Sequence, residues 1–160
     1  MPQPQKKMTA TFEVGAERVA KCKPDVVIRH LLDASRWPEW QPEIVATVGP
    51  ERVQVGDVVQ GHADLLGFGV AGQAAIHDVP DDGLVEDVLV GVRMRVSYQV
   101  EQHRDECLVR ATIVTEAPTG ISGRVLGFLL RRRLRRMQST ALDRLTRLAE
   151  AQSSTGIIEP

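Results

Sequence analysis

In ERVAKCKPDVVIRHLLDASRWPEWQPEI, residues 17–44, a strand gives way to two short helical pieces. Pro24 suits the first turn of a helix, where its missing N–H costs nothing, and Asp25 beside it complements the positive end of the helix dipole. Val27, Ile28, Leu31 and Leu32 recur at helical spacing, which predicts a helix ending near Asp33. Pro38 and Pro42 then forbid a continuous helix through Ala34 to Pro42, so a second short helix or turn is expected there.

Upstream, Thr9 to Cys22 reads as a strand: Phe12 and Val14 alternate with Thr11 and Glu13, and a break in phase at Gly15–Ala16 predicts a bulge. Downstream the period becomes two and stays there, giving candidate strands at 44–49, 57–66, 70–79, 84–91, 92–102 and 106–116. Turn signals separate them at Gly49-Pro50, Gly67-Phe68-Gly69, Pro80-Asp81-Asp82-Gly83 and Arg104-Asp105. The clearest alternation sets Val92, Met94, Val96, Tyr98 and Val100 against Arg93, Arg95, Ser97 and Gln99, the mark of a sheet covered on one face and wet on the other. Short connections make consecutive strands antiparallel neighbours. The cover is the last element: from Ile121 to Ala151 the residues Leu130, Leu134, Met137, Ala141, Leu145 and Leu148 form one helical stripe. Gly123 and Gly127, four apart, predict a close approach of the helix start to the sheet.

The composition fits one α+β domain. The chain has 160 residues, 42% apolar and 26% charged, with aromatics at only 4%, so the core is built from Val, Leu, Ile and Ala. Residues 1–8 and 152–160 read as disordered tails around a domain at 9–151. Net charge is −1, which gives no global attraction to nucleic acid. The charge is uneven, however: Ile121 to Glu150 holds eight Arg against Asp143 and Glu150. The start, MPQPQKKM, has no apolar stretch behind it, so no signal peptide and a cytoplasmic location are expected. Cys22 and Cys107 form no metal-binding spacing, and neither a phosphate loop nor a dinucleotide fingerprint occurs; no metal and no cofactor are expected.

The order strand, two short helices, six strands, long helix resembles the START-like superfamily, also called SRPBCC, and within it the polyketide cyclase/dehydrase and lipid-transport group. The likeness is carried by Cys22-Lys23-Pro24, the Val27–Leu32 helix face, Asp33, the Trp37-Pro38-Glu39-Trp40-Gln41-Pro42 segment and Val55-Gly56-Asp57. It implies a helix-grip fold, a seven-stranded curved antiparallel sheet wrapped around the C-terminal helix, with a cavity between them. It also implies that the first and last strands pair, bringing Cys22 near Cys107; in a cytoplasmic setting both are expected reduced. The cavity lining expected from the resemblance and from strand parity is Trp37, Trp40, Ala74, Ile76, Val88, Met94, Val96, Tyr98 and Phe128.

A superfamily that hosts carriers and enzymes alike leaves three readings. The first is a binding module for a small hydrophobic ligand such as a lipid or polyketide. The second is a polyketide cyclase/dehydrase-type enzyme with Tyr98 or Glu86 as acid or base. Tyr98 is as well explained as a core tyrosine. Glu86 shares parity with Leu84, Val88 and Val90, while Val85 and Leu89 make the opposite parity nearly as apolar; only the first would put its carboxylate in the cavity, with a raised pKa. The third reading is an interaction protein whose Arg131, Arg132, Arg135 and Arg136 contact an acidic partner or membrane; a solvated helix back is the commoner use of such a run. Trp37 and Trp40 are more often packing residues than ligand contacts. His62, His77 and His103 are expected in solvent rather than in catalysis.

Overall fold

The computed structural model describes residues 11–65, 67–116 and 121–155. The tail expected at 1–8 and the last five residues of the one expected at 152–160 lie outside the described residues. In chain order the elements are β1 (Thr11–Ala20), α1 (Pro24–Leu32), a 3₁₀ turn (Ala34–Arg36) running into α2 (Trp37–Trp40), β2 (Ile44–Val48), β3 (Val58–Leu65), β4 (Phe68–Asp78), β5 (Gly83–Leu89), β6 (Arg93–His103), β7 (Glu106–Glu116) and α3 (Ile121–Thr155). The seven strands form one antiparallel sheet in the order β1-β7-β6-β5-β4-β3-β2, and α3 lies across it. This is the helix-grip architecture. The helix continues through Thr155, past the boundary expected at Ala151.

Alternation along the central strands follows the expected parity. Val96, Tyr98 and Val100 of β6 and Cys107, Val109, Ala111, Ile113 and Thr115 of β7 face inward and are buried. Leu134, Ala141, Leu142 and Leu145 of α3 cover them. Pro24 opens α1, and Val26, Val27, Leu31 and Leu32 are its buried side. The Trp37 indole N–H donates to the Leu31 carbonyl at 2.9 Å, which locks α2 against the end of α1.

The bulge expected at Gly15–Ala16 is absent: β1 pairs with β7 in unbroken register from Thr11↔Glu116 to Ala20↔Cys107. The inward parity is Phe12, Val14, Ala16, Arg18, Ala20, so the apolar Val19 simply points to solvent, 55% exposed. Arg18, on the inward parity, reaches Asp143 of α3 at 2.6 Å instead of breaking the pattern. Farther along, the Lys21 backbone N–H donates to the Glu150 carboxylate at 2.9 Å, so the C-terminal half of α3 is tied to β1. The register shifts that do occur lie at Ile44/Ala46 and Ile76/Asp78. Val92, read as the first inward residue of β6, falls in the turn after Gly91, whose φ is +76°, and is exposed.

Cys22 and Cys107 meet as expected, both buried and both free thiols, each close enough to perturb the other. Burial, and then the neighbouring sulfur, push the Cys22 thiol up to about 12.

Candidate functional site

A cavity of about 140 Å³ lies between the concave sheet face and α3. Its sheet wall is Val59 of β3, Ala74 of β4, Glu86 and Val88 of β5, and Met94, Val96 and Tyr98 of β6. The helix wall is Leu134, Met137, Gln138 and Ala141, and Trp37 contributes from α2. Gln41, Glu43, Gln60, His62 and Gln73 border the solvent-facing side. Gly61 and Gly72 stand opposite one another across β3 and β4 on the same wall. A Cβ on Gly72 would come within 3.1 Å of the Leu89 carbonyl oxygen, so a side chain there would press β5 back by a few tenths of an ångström. The volume is close to the roughly 150 Å³ that accepts a benzene ring in an apolar protein core.

Of the nine residues expected in the lining, Trp37, Ala74, Val88, Met94, Val96 and Tyr98 do line it. Trp40, Ile76 and Phe128 do not. The Trp40 ring is 1% exposed and stands edge-on to Tyr98, centroids 5.7 Å apart, so it is packing behind the wall. Ile76 sits one inward position past Ala74, in the solid part of the core, its backbone tied to Gly56 and Asp57. Phe128 is 64% exposed. The Arg131 guanidinium stacks over Phe12, near the start of β1, 5.1 Å from the ring centre, so the helix before Arg131 runs past the described part of the sheet. Val125, Leu126 and Leu129 are exposed with Phe128 for the same reason. Gly127 belongs to this overhanging stretch, and the surroundings of Gly123 lie outside the described residues.

The parity of β5 is settled. Glu86 faces inward, opposite Ile76 on one side and Val96 on the other, and is 3% exposed. Desolvation pushes its carboxyl up to about 8, and its Oε2 has no hydrogen-bond partner among the described residues. Tyr98, diagonal to it on the next strand, is raised well above the ordinary phenol value by burial and then by the Glu86 charge. Both groups therefore carry their protons at neutral pH and act as hydrogen-bond donors toward an apolar volume. From the helix side Gln138, 6% exposed, presents an amide whose oxygen and nitrogen both lack partners among the described residues. Gln138 escaped the sequence reading, although it interrupts the Leu134–Ala141 stripe with a polar residue at core spacing.

His62, at the solvent side of the cavity, and His77 and His103, away from it, are exposed. His77 lies beside the Asp87–Arg95 ion pair on the outer face, where the Arg95 hydrogen bond holds the Asp87 carboxyl below its usual range. Arg131, Arg132, Arg135 and Arg136 are all exposed on α3. Among the described residues no group of three or more His, Cys, Asp or Glu has metal-binding geometry, and no helix is long and apolar enough to cross a membrane.

The family model described as "Polyketide cyclase / dehydrase and lipid transport" matches residues 11–150. The chain belongs to this family. Solved structures share the fold at low identity. The Zhui aromatase/cyclase from Streptomyces sp. R1128 is 15% identical, with a TM-score of 0.76 over 89% of this chain and 96% of that one. A START superfamily protein from Mycobacterium smegmatis is 13% identical, with a TM-score of 0.65 over 89% and 97%. The di-domain ARO/CYC StfQ of the steffimycin biosynthetic pathway is 19% identical, with a TM-score of 0.67 over 91% of this chain and 51% of that one. No curated protein matches the sequence. Membership in the polyketide cyclase/dehydrase and lipid-transport group, expected from residues 17–44, is thus shown, and the solved structures share the helix-grip fold.

Proposed function

We propose that this family member binds a small hydrophobic ligand in the cavity between the sheet and α3, in a cytoplasmic setting. The carrying observation is the cavity: about 140 Å³, walled by Val59, Ala74, Val88, Met94, Val96 and Leu134. Burial of apolar ligand surface at roughly 25 cal/mol per Å² supplies the driving force, and a few polar groups fix orientation. Native mass spectrometry of the purified protein tests the reading through the mass of a co-purifying ligand. Ala74→Leu fills the wall without adding charge, and retention falls in that variant. Equal retention by Ala74→Leu and the parent would place the ligand elsewhere and end this account.

A second reading, a cyclase/dehydrase-type enzyme, is favoured by one feature: a carboxyl poised near 8 beside a tyrosine hydroxyl in the same apolar volume. Such a carboxyl is tuned to exchange protons near physiological pH. Turnover of a poly-β-keto substrate, lost in both Glu86→Gln and Tyr98→Phe, is the result this reading requires.

A further inference from the structure

Two side chains on the sheet and helix walls of the cavity carry atoms without hydrogen-bond partners among the described residues. Glu86 Oε2 comes from β5; Gln138 Oε1 and Nε2 come from α3. Buried polar groups are normally hydrogen-bonded, and Glu86 and Gln138 bring spare hydrogen-bonding capacity to two walls of one otherwise apolar pocket, where a ligand's polar end can use it. The residues around them are apolar: Val88, Val96, Leu134, Met137 and Ala141. Among the described residues no Lys or Arg lines this cavity and its histidine, His62, stands at the solvent side, so nothing in the apolar interior compensates a bound anion. Building on the ligand-binding reading above, we propose that the cavity selects a neutral, ring-sized molecule whose carbonyl oxygen accepts a hydrogen bond from the Glu86 carboxylic acid, with the Gln138 amide meeting the same polar end, and that it rejects carboxylates.

The selection follows from charge and from donor inventory. A protonated carboxyl donates one hydrogen bond and an amide both donates and accepts, so a ketone or aldehyde oxygen finds a donor on either wall. A carboxylate there would lose its hydration without gaining a counter-ion. Burial holds the proton on Glu86 up to about pH 8. The titratable groups that share the lining are Tyr98 on β6, diagonal to Glu86, with Glu43 after α2 and His62 on β3 at the solvent side.

The test uses acetophenone, ethylbenzene and benzoate, three probes of one ring each that differ in the polar end. Met94 and Met137 line the cavity, so methyl-¹³C methionine NMR reads binding directly. At pH 6 acetophenone is expected to bind roughly fivefold more tightly than ethylbenzene, the worth of one net hydrogen bond. Benzoate is expected at least tenfold weaker than acetophenone. At pH 9.5 the acetophenone advantage disappears in the parent. It persists at both pH values in Glu86→Gln, whose amide still donates, and is absent at both in Glu86→Leu. Because Glu86→Gln keeps Glu43, His62 and Tyr98, a pH effect surviving in that variant would assign the titration to one of them and overturn the proposal. Acetophenone binding no better than ethylbenzene at pH 6, or benzoate binding as well as acetophenone, would also overturn it while leaving the cavity reading standing. Failure of ethylbenzene itself to shift either methionine would remove both.

Discussion

Replacing Glu86 by Gln should stabilise the protein, and more so as pH rises. In the unfolded chain the Glu86 carboxyl titrates near its ordinary value of 4.5; in the fold desolvation pushes it up to about 8. Below pH 4.5 both states hold the proton, and Glu86 then carries no ionisation penalty. Between 4.5 and 8 the unfolded state has released the proton and the folded state still binds it, so stability falls with rising pH, by about 1.4 kcal/mol per unit. Two and a half units separate 4.5 from 7, which gives a loss of about 3 kcal/mol at pH 7. The loss levels off at about 5 kcal/mol above pH 8. Glutamine keeps the shape and never ionises, so its advantage over the parent grows across that window. Carboxylates held low by arginine, such as Asp87 beside Arg95 and Glu39 beside Arg36, have the opposite pH dependence but cancel in the comparison. Urea unfolding followed by Trp37 and Trp40 fluorescence measures it. With a slope of about 2 kcal/mol per molar, the variant's midpoint at pH 7 should lie about 1.5 M above the parent's. A difference between variant and parent that stays constant from pH 4.5 to 8.5 would refute a desolvated, unpaired Glu86.

Gln138→Met should raise the stability of the unliganded protein by about 1–2 kcal/mol, since it removes an unpaired buried amide; a drop in urea midpoint would mean that the amide is satisfied. Leu142→Ala should cost about 3–4 kcal/mol, because Leu142 is fully buried where α3 faces the sheet; differential scanning calorimetry reads it, and a loss under 1 kcal/mol would contradict the packing. Changing Arg132, Arg135 and Arg136 together to Ser should leave thermal stability within about 1 kcal/mol, as expected of solvated side chains. Flotation of the parent with anionic liposomes, abolished in that triple variant, would instead assign those arginines to a membrane surface.

The fold was legible because its signals were long and redundant. Nine residues of clean alternation, 92–100, gave β6, the Pro24 start and the two prolines at 38 and 42 gave the short helices, and a stripe of Leu, Met and Ala gave α3. The site was legible only in part, because a seven-residue strand with apolar residues on both parities does not announce its inner face. Glu86 needed the pairing with Ile76 and Val96 to be placed. Phe128 was misplaced because periodicity says which side of a helix is apolar and nothing about where the sheet beneath it ends. Trp37 and Trp40, three apart, share a helix face, yet the edge-on contact with Tyr98 takes Trp40 out of the lining. Gln138 carried a signal, a polar residue in an apolar stripe, whose meaning depended on the hollow opposite it.

The sulfur pair where β1 closes on β7 makes the molecule its own timer. An alkylating reagent meets a Cys22 that is covered and protonated: with a thiol near 12, on the order of one molecule in 10,000 is ionised at pH 8. Modification must wait until β1 peels from β7, and β1 cannot leave without surrendering Arg18 to Asp143 and Lys21 to Glu150. The rate at which iodoacetamide consumes these thiols is therefore a clock for the detachment of strand and helix together, and any occupant that braces the helix against the sheet will slow it.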